Sequence, residues 1–388
     1  MEHLGEIPWK KLWRAALFAA GFFLIFAGLT FYYRERVSKN HNLSFLLNRF
    51  REEETNPELV FLGDSHPAID IKSEFLPRRF HNFSYPGENW RSMSLRARLA
   101  MAEKKDLKFL VIPLDYHLFS VYRARDEYFT DFLPFFQLED IRDIYRPSGV
   151  TLFKARVSAI LPLVSPGNRQ RLRKVTGEDL TALLAGTENE KAIAIDEYGG
   201  LFHTQERVWP EVPSWQKKED LKDRIEKHFL APVVDQRLVG VFDEFLRRAE
   251  VRGIKVIGVR FPLSNDYQAA APEGGRAEVE EVYAQKKFFG VLDYRNLFSG
   301  HEEYFTDPDH LNSEGGNVFT KVLVKDLQSL IARGGQIPPR PVNLYEKTEN
   351  SFCRPFRAFL PLRQEYCIFA LRPRGAGAGA GGQALDAR

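Results

Sequence analysis

The chain has 388 residues, of which 44% are hydrophobic and 28% are charged, a composition that is ordinary for a globular protein. Its formal net charge of +3 gives no strong signal for nucleic-acid binding. Both cysteines, Cys353 and Cys367, lie near the C-terminus, which excludes a cysteine nucleophile and a cysteine-ligated zinc site from the rest of the chain. The sequence leaves open whether these two cysteines pair in an oxidising compartment.

An apolar segment lies near the N-terminus. Residues 15–33 read AALFAAGFFLIFAGLTFYY, 19 residues without a charge, which is about enough to span a hydrocarbon core of roughly 30 Å. Trp9 and Trp13 flank one end and Tyr32 and Tyr33 form the other, as in an aromatic belt. A cleaved signal peptide would end in a small-residue cleavage site, and a core helix would have a polar face. Neither feature is present, so we expect an uncleaved membrane anchor.

The orientation of this anchor is weakly encoded, because three basic residues lie on each side of the apolar run. The short N-terminus favours a cytoplasmic segment at 1–14 and an extracytoplasmic body. Residues 34–56 then form a juxtamembrane segment, within which residues 41–54 have the apolar spacing of an amphipathic helix.

From residue 58 the pattern becomes one of strands alternating with helices. Short apolar runs bounded by turn residues predict buried strands, and a longer periodic run predicts a helix. The strands are expected at 58–63, 79–85 and 107–114, and the helix at 89–105. Such alternation is typical of a parallel sheet covered by helices on both faces, a three-layer α/β/α architecture.

Residues 120–230 interrupt this pattern and are rich in aromatic residues and proline. We interpret them as a large insertion with helical pieces that lies over the open end of the sheet. Such an insertion either shapes a substrate site or packs without a direct role, and the sequence does not separate these alternatives.

The alternation resumes after the insertion. We expect helices at 235–252 and 276–288, strands at 254–259 and 290–294, and a final helix from 313. One α/β domain therefore spans 57–334. From 335 to 388 the periodicity is lost, and the low-complexity run GAGAGAGG predicts a poorly ordered tail.

Two groups of reactive side chains fall at the carboxyl ends of predicted strands. Ser65 follows the first strand, where Gly63 allows a tight turn, and Asp307 and His310 follow the fifth strand. Functional groups of an open parallel sheet collect at this edge, so a serine nucleophile, a histidine base and an orienting aspartate are expected to meet there. Each motif alone has a plainer interpretation: Gly-Asp-Ser suits a turn, and Asp307 suits a helix cap.

Three stretches together resemble the SGNH (GDSL-type) hydrolase superfamily: FLGDSH after the first strand, NFSYPG after the second, and FTDPDHLNSEG before the last helix. The resemblance covers residues 57–115 and 235–333 and leaves out the anchor, the insertion and the tail. It implies a flavodoxin-like fold with a large insertion, preceded here by a single transmembrane helix.

The resemblance also implies roles for individual residues. Ser65 matches the nucleophile, His310 the base and Asp307 the partner of the base. Asp309 also neighbours His310, but the family spacing favours Asp307. The backbone N–H groups of Ser65 and Gly87 match two donors of the oxyanion hole.

The third family block departs from the pattern. The family usually has an asparagine there, in Gly-x-Asn-Asp, whereas this chain has Asp115 and no asparagine. Loss of one oxyanion donor costs about 10²–10³ in rate, so another donor is expected, with Asn89 and Arg260 as candidates. An ionised Asp115 would repel an oxyanion, so we assign it to substrate binding or structure. Arg260 is also a candidate for substrate binding. His66 either contacts substrate or is a buried structural histidine.

Three features point to one group within this superfamily: the apolar N-terminal segment, the altered third block and the insertion. With them, the chain resembles extracytoplasmic proteins that acylate cell-envelope polymers, such as alginate acetylation proteins and the D-alanyl transfer protein of teichoic-acid systems. This similarity implies a single-pass protein of the bacterial inner membrane with a periplasmic catalytic domain. It also implies a multi-span membrane-bound O-acyltransferase (MBOAT) as partner.

The reaction implied by this similarity moves an acyl group, such as acetyl, through Ser65 to a hydroxyl of an envelope polysaccharide. Two other hypotheses stay open: an esterase or deacetylase with the same triad, and a non-catalytic scaffold of an acylation or secretion complex. The nine histidines are scattered and no phosphate-binding glycine loop is present, so we expect no metal and no cofactor.

Overall fold

The computed structural model describes residues 9–33, 42–52, 56–125 and 207–336, together with a few isolated residues between 144 and 173. Most of the insertion predicted at 120–230 lies outside the described residues, as does almost all of the tail at 335–388. Cys353 and Cys367 also lie outside the described residues, so their pairing stays a prediction. The domain boundaries expected from the sequence stay predictions as well.

Five parallel strands form the central sheet, and each matches a strand expected from the sequence. They are β1 (Leu59–Phe61), β2 (Phe80–Asn82), β3 (Phe109–Pro113), β4 (Lys255–Arg260) and β5 (Gly290–Asp293). Their order is β2-β1-β3-β4-β5, so the chain changes direction across the sheet between β1 and β3, which is where open α/β sheets bind ligands. The predicted α/β class with a parallel sheet is confirmed.

Helices precede, connect and follow these strands. Within the described residues they include α1 (Trp9–Tyr33), α2 (Asn42–Glu52), α3 (Ser65–Asp70), α4 (Trp90–Glu103), α5 (Ser214–His228), α6 (Gln236–Val251), α7 (Asn265–Ala270), α8 (Glu273–Ala284) and α9 (Ser313–Ala332). The helix expected at 276–288 begins earlier, because Pro272 holds the extended backbone from which α8 starts. Two helices were not expected: α3, which begins at Ser65 itself, and α7, which follows β4. Helix α5 lies within the insertion, for which helical pieces were expected without bounds.

The hydrophobic core fixes the sheet against its helices. Strand residues such as Val60 and Ile112 share one buried cluster with Trp90 of α4 and Phe242 of α6, whose rings lie 4.2 Å apart. Helix α9 packs elsewhere on the sheet, where Gly290 leaves room for it: an added Cβ there would lie 2.8 Å from Cδ1 of Leu330. These contacts hold the loops before α3 and α9 at the same edge of the sheet.

Helix α1 carries the apolar segment that the sequence singled out. Within the described residues, Lys11–Tyr33 is the one stretch long and apolar enough to cross a membrane, with a mean hydropathy of 2.0 and 6% of it buried. This is a statement of length and composition, and a signal sequence near the N-terminus would satisfy it as well.

Candidate active site

Ser65 lies at the point where β1 turns into α3. Gly63 passes so close to Pro67 and Pro113 that a methyl group would not fit, with Cδ of Pro113 only 2.9 Å from an added Cβ. Asp64 caps α3 by accepting a hydrogen bond from the backbone N–H of His66, 3.4 Å away. Ser65 is therefore the first helical residue, and its side chain is only partly buried, so a substrate can reach it.

Ser65, His310 and Asp307 form a continuous hydrogen-bonded chain. Nε2 of His310 lies 2.8 Å from Oγ of Ser65, and Nδ1 lies 2.9 Å from Oδ2 of Asp307. Oδ1 of Asp307 also accepts hydrogen bonds from the backbone N–H groups of Asp309 and His310, at 3.0 and 2.9 Å. The carboxylate is thereby fixed toward the ring, which is the arrangement that lets a histidine take a proton from a serine.

The surroundings of His310 favour its protonated form. Its ring is buried, and burial alone would lower its pKa, but the charges of Asp307 and Asp309 outweigh this and raise the pKa. A base of this kind accepts the serine proton readily and holds it next to the two carboxylates. The local electrostatics therefore suit general-base chemistry at Ser65.

Asp70 joins the two halves of the site. It is the last residue of α3, and its Oδ1 accepts a hydrogen bond of 2.9 Å from the backbone N–H of Leu311, the residue after His310. The same loop is closed by a hydrogen bond of 2.9 Å from the N–H of Thr306 to the carbonyl of His310. The helix that begins with the nucleophile is thus tied to the loop that carries the base.

Two backbone donors were expected for an oxyanion hole. The N–H of Ser65 lies in the first turn of a helix, where N–H groups have no intrahelical partner. Gly87 follows β2 with a φ of +78°, a conformation that favours glycine. Both residues follow neighbouring parallel strands at the same edge of the sheet, as the resemblance in the sequence implies.

The two side chains suggested as an additional oxyanion donor are engaged elsewhere. The Asn89 amide donates to the carbonyl of Arg123 at 2.8 Å, and its oxygen caps α4 by accepting from Arg91 at 2.9 Å. Arg260 donates to Glu280 at 3.1 Å. The expectation that either side chain completes the oxyanion hole therefore has no support in the contacts, because both have better partners.

His66 and Asp115 are paired inside the protein. Nδ1 of His66 lies 2.7 Å from Oδ2 of Asp115, and both side chains are nearly fully buried. The His66 ring stacks on Phe261, with centroids 5.7 Å apart, and meets the ring of His310 at 4.8 Å. Of the two alternatives for His66, these contacts favour a structural histidine over one that touches substrate. Asp115 likewise has its partner within the fold.

A second buried ion pair lies beneath the nucleophile. Oδ2 of Asp64 is 2.5 Å from Nε2 of His117 and 3.1 Å from Nη2 of Arg123. Burial would raise the pKa of Asp64, but the contact with His117 and the charge of Arg123 outweigh it and lower that pKa. Because burial lowers the pKa of His117, Arg123 is the partner that keeps its positive charge, and His117 acts as a hydrogen-bond donor. An ionised Asp64 anchors the segment after β3 against the turn that presents Ser65.

Arg224 of α5 is a site residue that the sequence did not reveal. Its Nη2 lies 3.1 Å from Oδ2 of Asp307, and its Nε lies 3.3 Å from Oδ1 of Asp309. The guanidinium thus bridges both carboxylates beside His310. The stretch SWQKKEDLKDRIEKH has charges all round, so an arginine there is indistinguishable in sequence from one on a solvated helix face.

Two groups of buried side chains are of the types that bind metal ions: His66, Asp309 and His310, and His66, Asp115 and His117. In both groups each histidine has a ring nitrogen in contact with a carboxylate, and Asp309 also faces Arg224. A guanidinium already in place supplies the positive charge that a metal would bring. The arrangement therefore suits a network of ion pairs better than a metal centre.

No protein-family model matches this sequence, and no curated protein matches it. Among solved structures, the chain is similar to a "putative acylhydrolase" from Bacteroides fragilis, with 12% sequence identity and a TM-score of 0.32. The match covers 75% of this chain and 96% of the other. A likeness this distant says nothing about activity, which has to be argued from the residues of this chain.

Proposed function

We propose that this protein is a serine-dependent enzyme that acts on acyl esters through a covalent acyl-Ser65 intermediate. The observation that carries the proposal is the unbroken chain from Oγ of Ser65 through His310 to Asp307. A buried, doubly oriented histidine beside a partly exposed serine has no evident purpose in a scaffold. The contacts therefore favour catalysis over the non-catalytic alternative.

In the proposed reaction each group has a step. His310 takes the proton of Ser65 at Nε2 as Oγ bonds to the acyl carbon, and Asp307 stabilises the imidazolium that forms. The N–H groups of Ser65 and Gly87 are the donors available to the oxyanion. His310 then returns its proton to the departing alcohol, which leaves the acyl group on Ser65. In the second half, His310 takes a proton from the incoming hydroxyl, whose oxygen bonds to the acyl carbon. The bond between the acyl carbon and Oγ of Ser65 then breaks, and His310 returns the proton to Oγ.

The incoming hydroxyl decides between transfer and hydrolysis. We propose transfer: acyl groups, such as acetyl, pass to a hydroxyl of an envelope polysaccharide, with the catalytic body outside the inner membrane and an MBOAT protein as the donor partner. The apolar helix α1 supports a membrane location, and the resemblance in the sequence supports the acceptor and the partner. An esterase would use the same residues with water as the acceptor.

A fluorophosphonate probe tests the chemistry on the full-length chain in detergent. In the wild type, Oγ of Ser65 should bond to the phosphorus of the probe, which loses fluoride. Ser65→Ala should not be labelled. Ser299→Ala, which removes an exposed hydroxyl, is the matched control and should label as the wild type does. Equal labelling of the wild type and Ser65→Ala would exclude both enzyme hypotheses.

Partition of the acyl group separates transfer from hydrolysis. The purified protein is given an activated acetyl ester with and without a soluble oligosaccharide acceptor, and both acetylated sugar and free acetate are measured. A transferase should form the sugar ester at the expense of acetate. Release of acetate at the same rate with and without acceptor would favour the esterase.

A further inference from the structure

A buried chain of charged groups runs behind the triad and is not used by the proposed reaction. His66 lies between two carboxylates, with Nδ1 2.7 Å from Oδ2 of Asp115 and Nε2 3.5 Å from Oδ2 of Asp309. Asp309 in turn lies 3.4 Å from Nδ1 of His310. The chain therefore connects the third strand of the sheet to the catalytic base.

The positions of these atoms favour one charge state of His66, with Nδ1 at hydrogen-bond distance from Asp115 and Nε2 at a longer, ion-pair distance from Asp309. A neutral imidazole that donates from Nδ1 to Asp115 has a lone pair on Nε2, and that lone pair would face an oxygen of Asp309. Only the imidazolium has a hydrogen on both nitrogens and is attracted by both carboxylates. Burial alone would lower the pKa of His66, but the charges and hydrogen bonds of Asp115 and Asp309 raise it well above its usual value.

An imidazolium at this place acts on His310 in two ways. The two rings meet edge to face with centroids 4.8 Å apart, so the His66 ring limits the rotation of His310 away from Ser65. The positive charge of His66 also opposes a second positive charge on His310, while Asp307 and Asp309 favour it. The charged or titratable groups around His310, within the described residues, include Ser65, His66, Asp70, Asp307, Asp309 and Arg224. Around His66, Asp115 and Asp309 they also include His117, His228, Tyr267 and Tyr283.

We propose that His66, held as an imidazolium between Asp115 and Asp309, is a positioning residue that orients His310 and sets the pH at which His310 accepts the proton of Ser65. The role of His310 as base rests on the proposed function. The electrostatic link between His66 and His310 does not, because it follows from the contacts alone.

Opposite charges in the network predict opposite shifts. His66→Gln removes a positive charge near His310, so the pKa of His310 should rise by about one unit. Asp309→Asn removes a negative charge while Asp115 still holds the proton of His66, so the pKa of His310 should fall by about one unit. If His66 and Asp309 had a purely structural role, the shift in the pKa of His310 would not depend on the sign of the charge that each substitution removes.

Histidine-selective ¹⁵N NMR of the full-length chain in detergent measures these values without any reaction. The His310 signal is identified by its loss in His310→Gln. His301→Gln, which removes an exposed histidine elsewhere, is the control and should leave the titration of His310 unchanged. Asp115→Asn removes the charge of His66 indirectly: it keeps an oxygen acceptor for Nδ1 of His66 but removes the negative charge that holds the imidazolium. The pKa of His310 should therefore rise, as in His66→Gln.

The pH profile of Ser65 labelling by the fluorophosphonate gives the functional readout. The acid limb of the profile should move to higher pH in His66→Gln and to lower pH in Asp309→Asn. At one pH unit below the midpoint of the wild-type acid limb, each shift should change the relative labelling rate by about tenfold. Circular dichroism confirms that each variant is folded. Shifts of the same sign in both variants, or a His66 that titrates near its ordinary value, would overturn the inference. Absence of labelling in the wild type would instead count against the proposed function, and the NMR titration would still decide the link.

Discussion

Asp307 shows how a single contact is expected to control the site. Its carboxylate accepts from Nδ1 of His310 at 2.9 Å, which leaves Nε2 as the acceptor for the serine proton. An asparagine would keep the shape but could donate to Nδ1 and stabilise the wrong tautomer. We therefore expect Asp307→Asn to lower the rate of Ser65 labelling by about 10⁴-fold.

The measurement is the rate constant of probe labelling on the full chain, with unfolding by urea recorded in parallel. Asp293→Asn, at the end of β5 and paired with Arg295, is the matched control and should label within about twofold of the wild type, because such solvent-exposed pairs contribute little. A loss of labelling of similar size in both variants would contradict the assignment.

Asp70 makes a prediction about stability and pH. Burial raises the pKa of this carboxyl to about 7, whereas an aspartate in an unfolded chain ionises near pH 4. Between about pH 4 and pH 7 the unfolded state has therefore lost a proton that the folded state keeps. The contribution of Asp70 to stability should therefore fall as the pH rises through this window, by up to about 1.4 kcal/mol per pH unit, and level off above it.

Urea unfolding of the wild type and Asp70→Asn across this range measures the effect. The variant keeps an oxygen acceptor for the N–H of Leu311 but cannot ionise, so its advantage over the wild type should grow from about pH 4 to about pH 7. Asp106→Asn, at an exposed position, should show no such trend. A difference between Asp70→Asn and the wild type that is constant with pH would refute the prediction.

Residues of the site were predictable where they follow the end of a strand that the sequence reveals. Ser65, Asp307 and His310 follow strand ends, and strand ends can be read from apolar runs. Arg224 was not predictable, because its partners Asp307 and Asp309 come from a segment distant in sequence and nothing in its charged helix marks it. Asn89 is engaged for a local reason: an asparagine before an apolar helix is a common N-cap, so its amide oxygen holds the start of α4 and its amide nitrogen is turned toward the carbonyl of Arg123.

At the scale of elements, the turn between β1 and α3 depends on a missing side chain. A Cβ at position 63 would collide with Pro67 and would lie 2.9 Å from Pro113, both of which are held in the fold. We expect Gly63→Ala to cost about 1–3 kcal/mol of stability and to displace Ser65 from His310. Chemical denaturation and probe labelling measure the two effects.

Gly240→Ala is the matched control for this substitution. Gly240 lies in α6 with open space around its Cα, so an alanine there should be neutral or stabilise the helix by up to about 1 kcal/mol. If Gly63→Ala were as stable and as reactive as Gly240→Ala, the close packing of the turn would have no energetic consequence and the prediction would fail.

Elements with a regular period were predicted better than short or aperiodic ones. All five strands and α4, α6 and α9 follow apolar patterns that a buried sheet and its helices impose. Helix α3 has only six residues, too few to show a period, and it forms because Asp64 caps it and Asp70 ties it to the loop after β5. Helix α5 is stabilised by tertiary contacts, including the ion pairs of Arg224, which no local pattern reveals.

The whole molecule combines this site with an apolar helix, most of which is exposed among the residues that the structure describes. Most large side chains of α1 are exposed, including Phe23, Leu24 and Ile25, and only 6% of its apolar stretch is buried. A surface of this kind is unfavourable in water and favourable in a bilayer. We therefore expect the full-length chain to stay in the membrane fraction after an alkaline carbonate wash.

Two charges at the centre of α1 test this expectation. An arginine there costs about 3 kcal/mol, so Leu24→Arg/Ile25→Arg should oppose insertion by about 6 kcal/mol and move most of the protein to the supernatant. Trp215→Arg/Val251→Arg adds the same charges at exposed apolar positions outside α1 and should leave the distribution unchanged. Labelling of Ser65 in detergent should survive in both variants, because neither touches the triad. A double-arginine α1 that remained in the membrane pellet would show that another part of the chain, or a partner, holds the protein there.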